Sequence, residues 1–159
     1  KDQTPKPVIF DNKPAYRSHW ETTIKRIEAI SNIMTSLTEE KPFSLIEVGA
    51  GELTTLVPLL QKLGSLVTFS SALELAWSRL KVGNNFSKEH NITIDQYIKA
   101  SALKIPLPDN SIDIVFTSHC LEQIGKNSDQ AISEMVRIAR KYVVLLEPGL
   151  ELVDKYPTK

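Results

Sequence analysis

An α/β fold, with a mostly parallel, doubly wound sheet held between two layers of helices, is predicted by three features of the sequence. Short apolar runs of strand length alternate with amphipathic stretches of helical period along residues 43–149. A glycine-rich turn, "EVGAGEL", joins the first run directly to a helical pattern. Right-handed crossovers between such units place helices on both faces of a three-layer αβα sandwich. At 159 residues the chain fits one domain, because a chain of this length buries roughly two-thirds of its unfolded surface. Residues 1–17 read as a polar, proline-punctuated lead-in and 18–159 as that single domain.

Taken in order, Trp20, Ile24, Ile27, Ile30, Met34 and Leu37 recur at steps of three and four and mark a helix over 18–37. A βα core over 43–149 follows the charged loop "TEEKP". Phe43 to Val48 is a buried strand, and Thr54 to Leu63 a helix in which Pro58 sits early enough to be tolerated. Gly64 closes that helix, and Leu66 to Phe69 is a short second strand. Leu73, Ala76, Trp77 and Leu80 form the next helical stripe, with Ser71 and Glu74 spaced as a capping box. "KVGNNFSKEHN" reads as a polar connection, Ile92 to Ile98 as a third strand, and Ile112 to Thr117 as a fourth between turn signals. Ser128 to Ala139 is a helix with Ala131, Ile132, Met135, Val136 and Ile138 inward. Arg137, Arg140 and Lys141 stand near its C-terminal end, where cations suit the helix dipole. "YVVLL" is the fifth strand.

Composition narrows the function classes. Nineteen basic side chains balance 19 acidic ones, so there is no cationic excess to draw the chain onto nucleic acid. No apolar run is long enough for a membrane span. With Cys120 alone there is no internal disulfide, which points to a reducing, cytoplasmic setting. Cys120 itself reads as a small buried hydrophobe. His19, His90, His119 and Cys120 lack the paired spacing of a zinc site, so no metal is implied.

In an open parallel sheet, ligands bind beyond the carboxyl ends of the strands, where the winding reverses. Gly49 and Gly51 stand there. Glycine accepts positive φ and, lacking Cβ, lets a ligand approach the main chain and the free amides of the next helix. Three ordered segments carry a likeness: "IEVGAGELT", "ALKIPLPDNSIDIVFTSHCLEQI" and "ISEMVRIARKYVVLLEPG". Over about residues 43–149 the chain resembles the class I S-adenosylmethionine-dependent methyltransferases of the type 11-like group.

The resemblance implies a Rossmann-like fold and methyl transfer from S-adenosyl-L-methionine to a small molecule, glycan or lipid precursor. It places Glu47, Gly49, Ala50 and Gly51 at the cofactor's amino-acid portion, and Ser70 and Ser71 near its ribose. Ser101, Ala102 and Leu103 would flank adenine, and Ser118 and His119 would border the methyl-transfer pocket. His119 and Glu122, following the fourth strand, are the candidate catalytic pair for accepting a substrate proton. Glu47 has a structural reading beside this one, as an acceptor for turn amides.

The sequence also departs from the family. "TFSSA" offers only serines where a carboxylate customarily takes the ribose hydroxyls; Glu74 could swing to the ribose but reads better as a helix cap. Ser101 stands in place of an adenine-binding Asp, and Leu53 in place of the third glycine. "LELVDKYPTK" is too short for two further strands, so a trimmed or degenerate form is expected. Its sheet edge would be covered by the N-terminal helix or a partner chain, as in a homo-oligomer. These departures motivate an alternative, a non-catalytic methyltransferase-like binding or scaffold module. A nicotinamide-dependent oxidoreductase fits least, with Thr54 where its third glycine belongs and no acidic residue after the second strand.

Overall fold

The structure, a computed structural model, describes residues 7–10 and 13–147, with side chains from Ile24 onward. Strands β1 (Pro7–Phe10) and β2 (Lys13–Tyr16) pair antiparallel where the sequence suggests only a polar lead-in. Helix α1 (Arg17–Thr38) leads into a five-stranded sheet of β3 (Phe43–Val48), β4 (Val67–Glu74), β5 (Gln96–Lys99), β6 (Ile112–Ser118) and β7 (Ala139–Leu146). Its order is β5-β4-β3-β6-β7, and every neighbouring pair is parallel. Helices α2 (Leu56–Leu63) and α3 (Trp77–Glu89) make the first two crossovers, and α4 (Leu121–Ile124) with α5 (Ser128–Ile138) the last. Winding therefore reverses between β3 and β6, which opens a crevice at their carboxyl ends.

Side-chain alternation explains why these strands are apolar throughout. Leu45 packs with Ile30, Met34 and Leu59 under α1 and α2, whereas Ile46 and Val48 face Met135 and Ile138 of α5. A strand buried on both faces has no polar side to show. On α5 the inward set is Ala131, Met135 and Ile138; Val136, expected inward, is 57% exposed. Arg140 and Lys141 belong to β7 and bond Asp113. Burial opposes ionisation of Asp113, but hydrogen bonds from Ser44, Arg140 and Lys141 outweigh it and hold the carboxyl well below its usual range. Among the described residues no strand pairs with the outer side of β7, and no helix is long and apolar enough to cross a membrane.

The second βα unit differs most from expectation. β4 does not stop at Phe69 but runs to Glu74, and α3 begins only at Trp77 and continues through the stretch that reads as a connection. The cause is burial of short hydroxyls beside partners from the next strand region. Ser70 donates from its amide and its hydroxyl to Asp95 Oδ2 at 2.7 and 3.0 Å, and Ser71 Oγ to Gln96 Oε1 at 3.3 Å. Hydroxyls paired in this way are compatible with an interior strand.

Leu53, standing in the third glycine's place, is fully buried at φ +62°. Gly83 of α3 makes room for it: a Cβ there would lie 2.5 Å from Leu53 Cγ and 3.0 Å from the Glu52 carbonyl carbon. Gly83→Ala should therefore destabilise the fold by about 1–2 kcal/mol, overpacking outweighing the better helix propensity of alanine. The shift in urea midpoint measures this. Leu53→Ala should cost less in the Gly83→Ala background than alone, since the two residues share one space.

Candidate active site

Two cavities open at the carboxyl ends of β3, β4 and β6 and share Gly49, Arg79 and His119. One, of about 340 Å³, is walled by Leu73, Glu74 and Leu75 at the end of β4 and by Ser101, Ala102 and Leu103 after β5. The other, of about 450 Å³, is bordered by Arg26, Glu47, Ala50, Gly51 and Ser118. Of the site residues read from sequence, Glu47, Gly49, Ala50, Gly51, Ser101, Ala102, Ser118 and His119 line these cavities. Ser70, Ser71 and Glu122 line neither; Ser70 and Ser71 lie inside β4, short of its end. The side chains of Tyr16 and Trp20, candidates for a lid or packing, fall outside the described residues.

The glycine turn is built differently from the sequence reading. Gly49 and Gly51 do adopt positive φ, +75° and +55°. The turn's amides, however, are committed within the protein. Gly49 and Ala50 N–H both donate to the Leu73 carbonyl at 2.8 and 2.9 Å, Gly51 N–H to Glu74 Oε2 at 3.0 Å, and Leu53 N–H to the Ala50 carbonyl at 2.9 Å. The space a Cβ would take is also used: at Gly49 it would collide with Cys120 Sγ, and at Gly51 it would lie 2.6 Å from Arg79 Nη2. The bare main chain thus serves the protein's own packing first, and open space remains only to either side of it.

Glu74 is the residue the sequence reading assigned to helix capping in preference to the ribose position. It ends β4, 23 positions beyond Gly51, and its second oxygen accepts from Ala76 N–H at 2.9 Å. It is neither half of a capping box with Ser71 nor absent from the crevice. An acidic residue about 20 positions after a glycine turn was the available signal.

Glu47, 2% exposed, receives the Leu56 amide at the start of α2, while its Oε2 has no hydrogen-bond partner among the described residues. Burial pushes its pKa well above the usual carboxylate range; Arg26 and the Leu56 amide oppose that rise, and nearby Glu74 adds to it.

His119 caps β6 at φ +56°, with its amide donating to the Leu146 carbonyl at 3.1 Å and its Nδ1 3.4 Å from Glu122 Oε1. Glu147, just past β7, holds this corner. It accepts from Thr117 Oγ1 and Cys120 N–H through Oε1, and from Leu121 N–H through Oε2, at 3.0–3.2 Å. Burial pushes the Cys120 thiol pKa up, which disfavours the nucleophilic thiolate.

Behind the first cavity, Glu134 and Arg137 of α5 form a two-pronged ion pair at 2.7 and 2.9 Å. Arg137 also donates to the carbonyls of Ile105 and Leu107, and Glu134 accepts from Ile105 N–H. The pair therefore pins the segment that leads away from the Ser101–Leu103 wall. Arg137 first and the Ile105 amide second draw the Glu134 pKa down to about 2.

Residues 46–146 match the family described as a methyltransferase domain. Among solved structures, the chain superposes on the YcgJ protein of Bacillus subtilis with a TM-score of 0.62 at 18% identity, covering 79% of this chain and 54% of that one. A SAM-dependent methyltransferase of Aquifex aeolicus gives 0.59 at 18% identity, over 77% of this chain and 71% of that one. Magnesium protoporphyrin IX methyltransferase of Synechocystis, solved with bound SAM, gives 0.63 at 12% identity, over 82% and 64%. The chain spans about half the length of the first of these proteins. At such identities the likenesses establish the fold, and the domain match, which covers most of the chain, establishes the kinship. By domain and by sheet order, this chain belongs to the methyltransferase domain family and has the Rossmann-like fold of the class I S-adenosylmethionine-dependent enzymes.

Proposed function

We propose that the chain binds S-adenosylmethionine across the paired cavities and transfers its methyl group to a small molecule, glycan or lipid precursor. The observation that carries this reading is the placement of two carboxylates, Glu47 and Glu74, at the ends of adjacent strands on either side of the glycine turn. The residues present fit the group. Leu73, Leu75 and Ala102 offer apolar walls for a purine, and Glu74 stands beside them as a charged acceptor for ribose hydroxyls. The buried Oε2 of Glu47, without a partner among the described residues, suits an ammonium, whose charge would offset the cost of burying a carboxylate.

When bound, the cofactor supplies an electrophilic methyl on a sulfonium, which leaves the protein to align the acceptor and exclude water. His119 borders both cavities and would accept the acceptor's proton, with Glu122 Oε1 3.4 Å from its Nδ1. Ser118 Oγ, buried and without a partner among the described residues, offers a hydroxyl to whatever fills the second cavity.

Glu74 as a candidate ribose acceptor speaks against one of the grounds for a non-catalytic module, the missing ribose carboxylate. The balanced net charge favours an acceptor other than nucleic acid, and the free thiol favours the cytoplasm.

Calorimetric titration with S-adenosylmethionine and S-adenosylhomocysteine should show saturable binding. Glu74→Gln should weaken it about tenfold while the protein stays folded by circular dichroism. No heat at millimolar ligand with folded protein would end the reading. Binding without transfer of labelled methyl to any acceptor pool would restore the non-catalytic alternative.

A further inference from the structure

We infer that Arg79 is the anion-recognising side chain of the crevice: its guanidinium takes the carboxylate of the bound ligand's amino-acid tail. The inference rests on the methyltransferase reading above.

Arg79 lies in the first turn of α3 and lines both cavities. Its guanidinium lies over Gly51, where the turn faces the second cavity. It makes no side-chain hydrogen bond among the described residues. Its ion pairs among the described residues are long, Nε to Glu52 Oε1 at 4.0 Å and Nη1 to Glu74 Oε2 at 3.9 Å, and the side chain is 54% exposed. Pairs of that length on an exposed side chain are weak. A guanidinium presents five N–H donors in a fixed fork matched to a carboxylate, and here that fork has no acceptor in hydrogen-bond range among the described residues.

The neighbouring groups show why this side chain has to act. The amides of Gly49, Ala50, Gly51 and Leu53 are all committed internally, so these four positions of the turn have no donor to offer an anion. Acceptors, by contrast, are plentiful: Glu47, Glu52 and Glu74 all border the crevice. Of the two arginines that line the cavities among the described residues, Arg26 acts on Glu47, whose ionisation it favours. An amino-acid tail carries both charges, so its ammonium goes to Glu47 and its carboxylate to Arg79, the cation at the other side of the same turn. Moving the far end of a flexible side chain from above Gly51 requires no change in the main chain.

The test is titration calorimetry of the full chain with S-adenosylhomocysteine and with 5′-methylthioadenosine, which keeps the nucleoside and thioether but has no amino-acid tail. Arg79→Ala should lower affinity for S-adenosylhomocysteine roughly 10- to 100-fold and leave that for methylthioadenosine within about twofold, with Arg79→Lys in between. Equal losses for both ligands, or none for either, overturn the inference. So does a gain in S-adenosylhomocysteine affinity, which would make Arg79 an obstructing strap. A loss seen only in turnover, with S-adenosylhomocysteine binding intact, would assign the anion to the methyl acceptor and overturn it as well. If the unaltered chain binds neither ligand, the methyltransferase reading fails and the inference falls with it.

Discussion

Gly49→Ala should lower stability by about 2–5 kcal/mol and abolish ligand binding. At φ +75° an L-residue costs about 1–2 kcal/mol, and overpacking a buried corner adds about 1–3 kcal/mol. The new Cβ would collide with Cys120 Sγ and lie 2.7 Å from Cys120 Cβ, so rotating the thiol away does not relieve it. Cys120 cannot withdraw freely either, because its amide is held by Glu147 Oε1 at 3.0 Å. This sets the order of rescue. Cys120→Ala should return almost nothing in the Gly49→Ala background. Cys120→Gly, which removes both close atoms, should return the steric part and leave the backbone cost. Denaturant unfolding of the two double variants measures it, and equal, additive losses in both would refute the packing account. Gly51→Ala should be milder, because its Cβ meets only the mobile end of Arg79.

Glu47→Gln should make the protein more stable near neutral pH and a poorer binder. Burial raises the folded pKa of Glu47 above its unfolded value, so the native state holds this proton more tightly than the unfolded chain does. The stability tied to that proton is fully present below the ordinary carboxylate range. It falls as pH rises through the raised native value, and is constant above it, by about 1.4 kcal/mol for each unit of difference. Glutamine cannot ionise, so the variant lacks the fall and its advantage over the parent opens from acid towards neutral pH. Ligand binding should move the other way. An ammonium at Oε2 stabilises the carboxylate, so the parent releases a proton on binding, and the variant loses about 2 kcal/mol, roughly 30-fold in affinity. Thermal unfolding across pH and calorimetry in two buffers of different ionisation enthalpy check both halves. Parallel pH profiles for parent and variant would contradict the assignment of a buried, proton-holding Glu47.

Both results concern residues legible in the sequence, and the contrast with Glu74 shows why legibility stops where it does. Gly49 and Glu47 belong to a contiguous stretch in which an apolar run meets a turn and then a helix, and a local pattern suffices to find them. Glu74 sits at the end of a strand whose residues read as polar, because Ser70 and Ser71 are hydrophilic in isolation. They become interior residues only through Asp95 and Gln96, 25 positions away. The same holds for α3, whose narrow buried face of Leu80, Gly83 and Ser87 gives little helical signal but fits closely over Leu53. Glu147 likewise gains its place only when β7 lies beside β6.

By itself, the sequence determined the alternation of strands and helices, and from it the parallel sheet, the reversal of winding and the crevice beside Gly49 and Gly51. Those features follow from hydrophobic period and backbone sterics, which act within a few residues. The tertiary structure alone decided where β4 ends, which carboxylates face the crevice, and that the turn's amides are taken while the Arg79 guanidinium makes only long ion pairs among the described residues. Burial of a polar group and the partner that satisfies it are settled together, between segments distant in the chain, and no local pattern records that pairing.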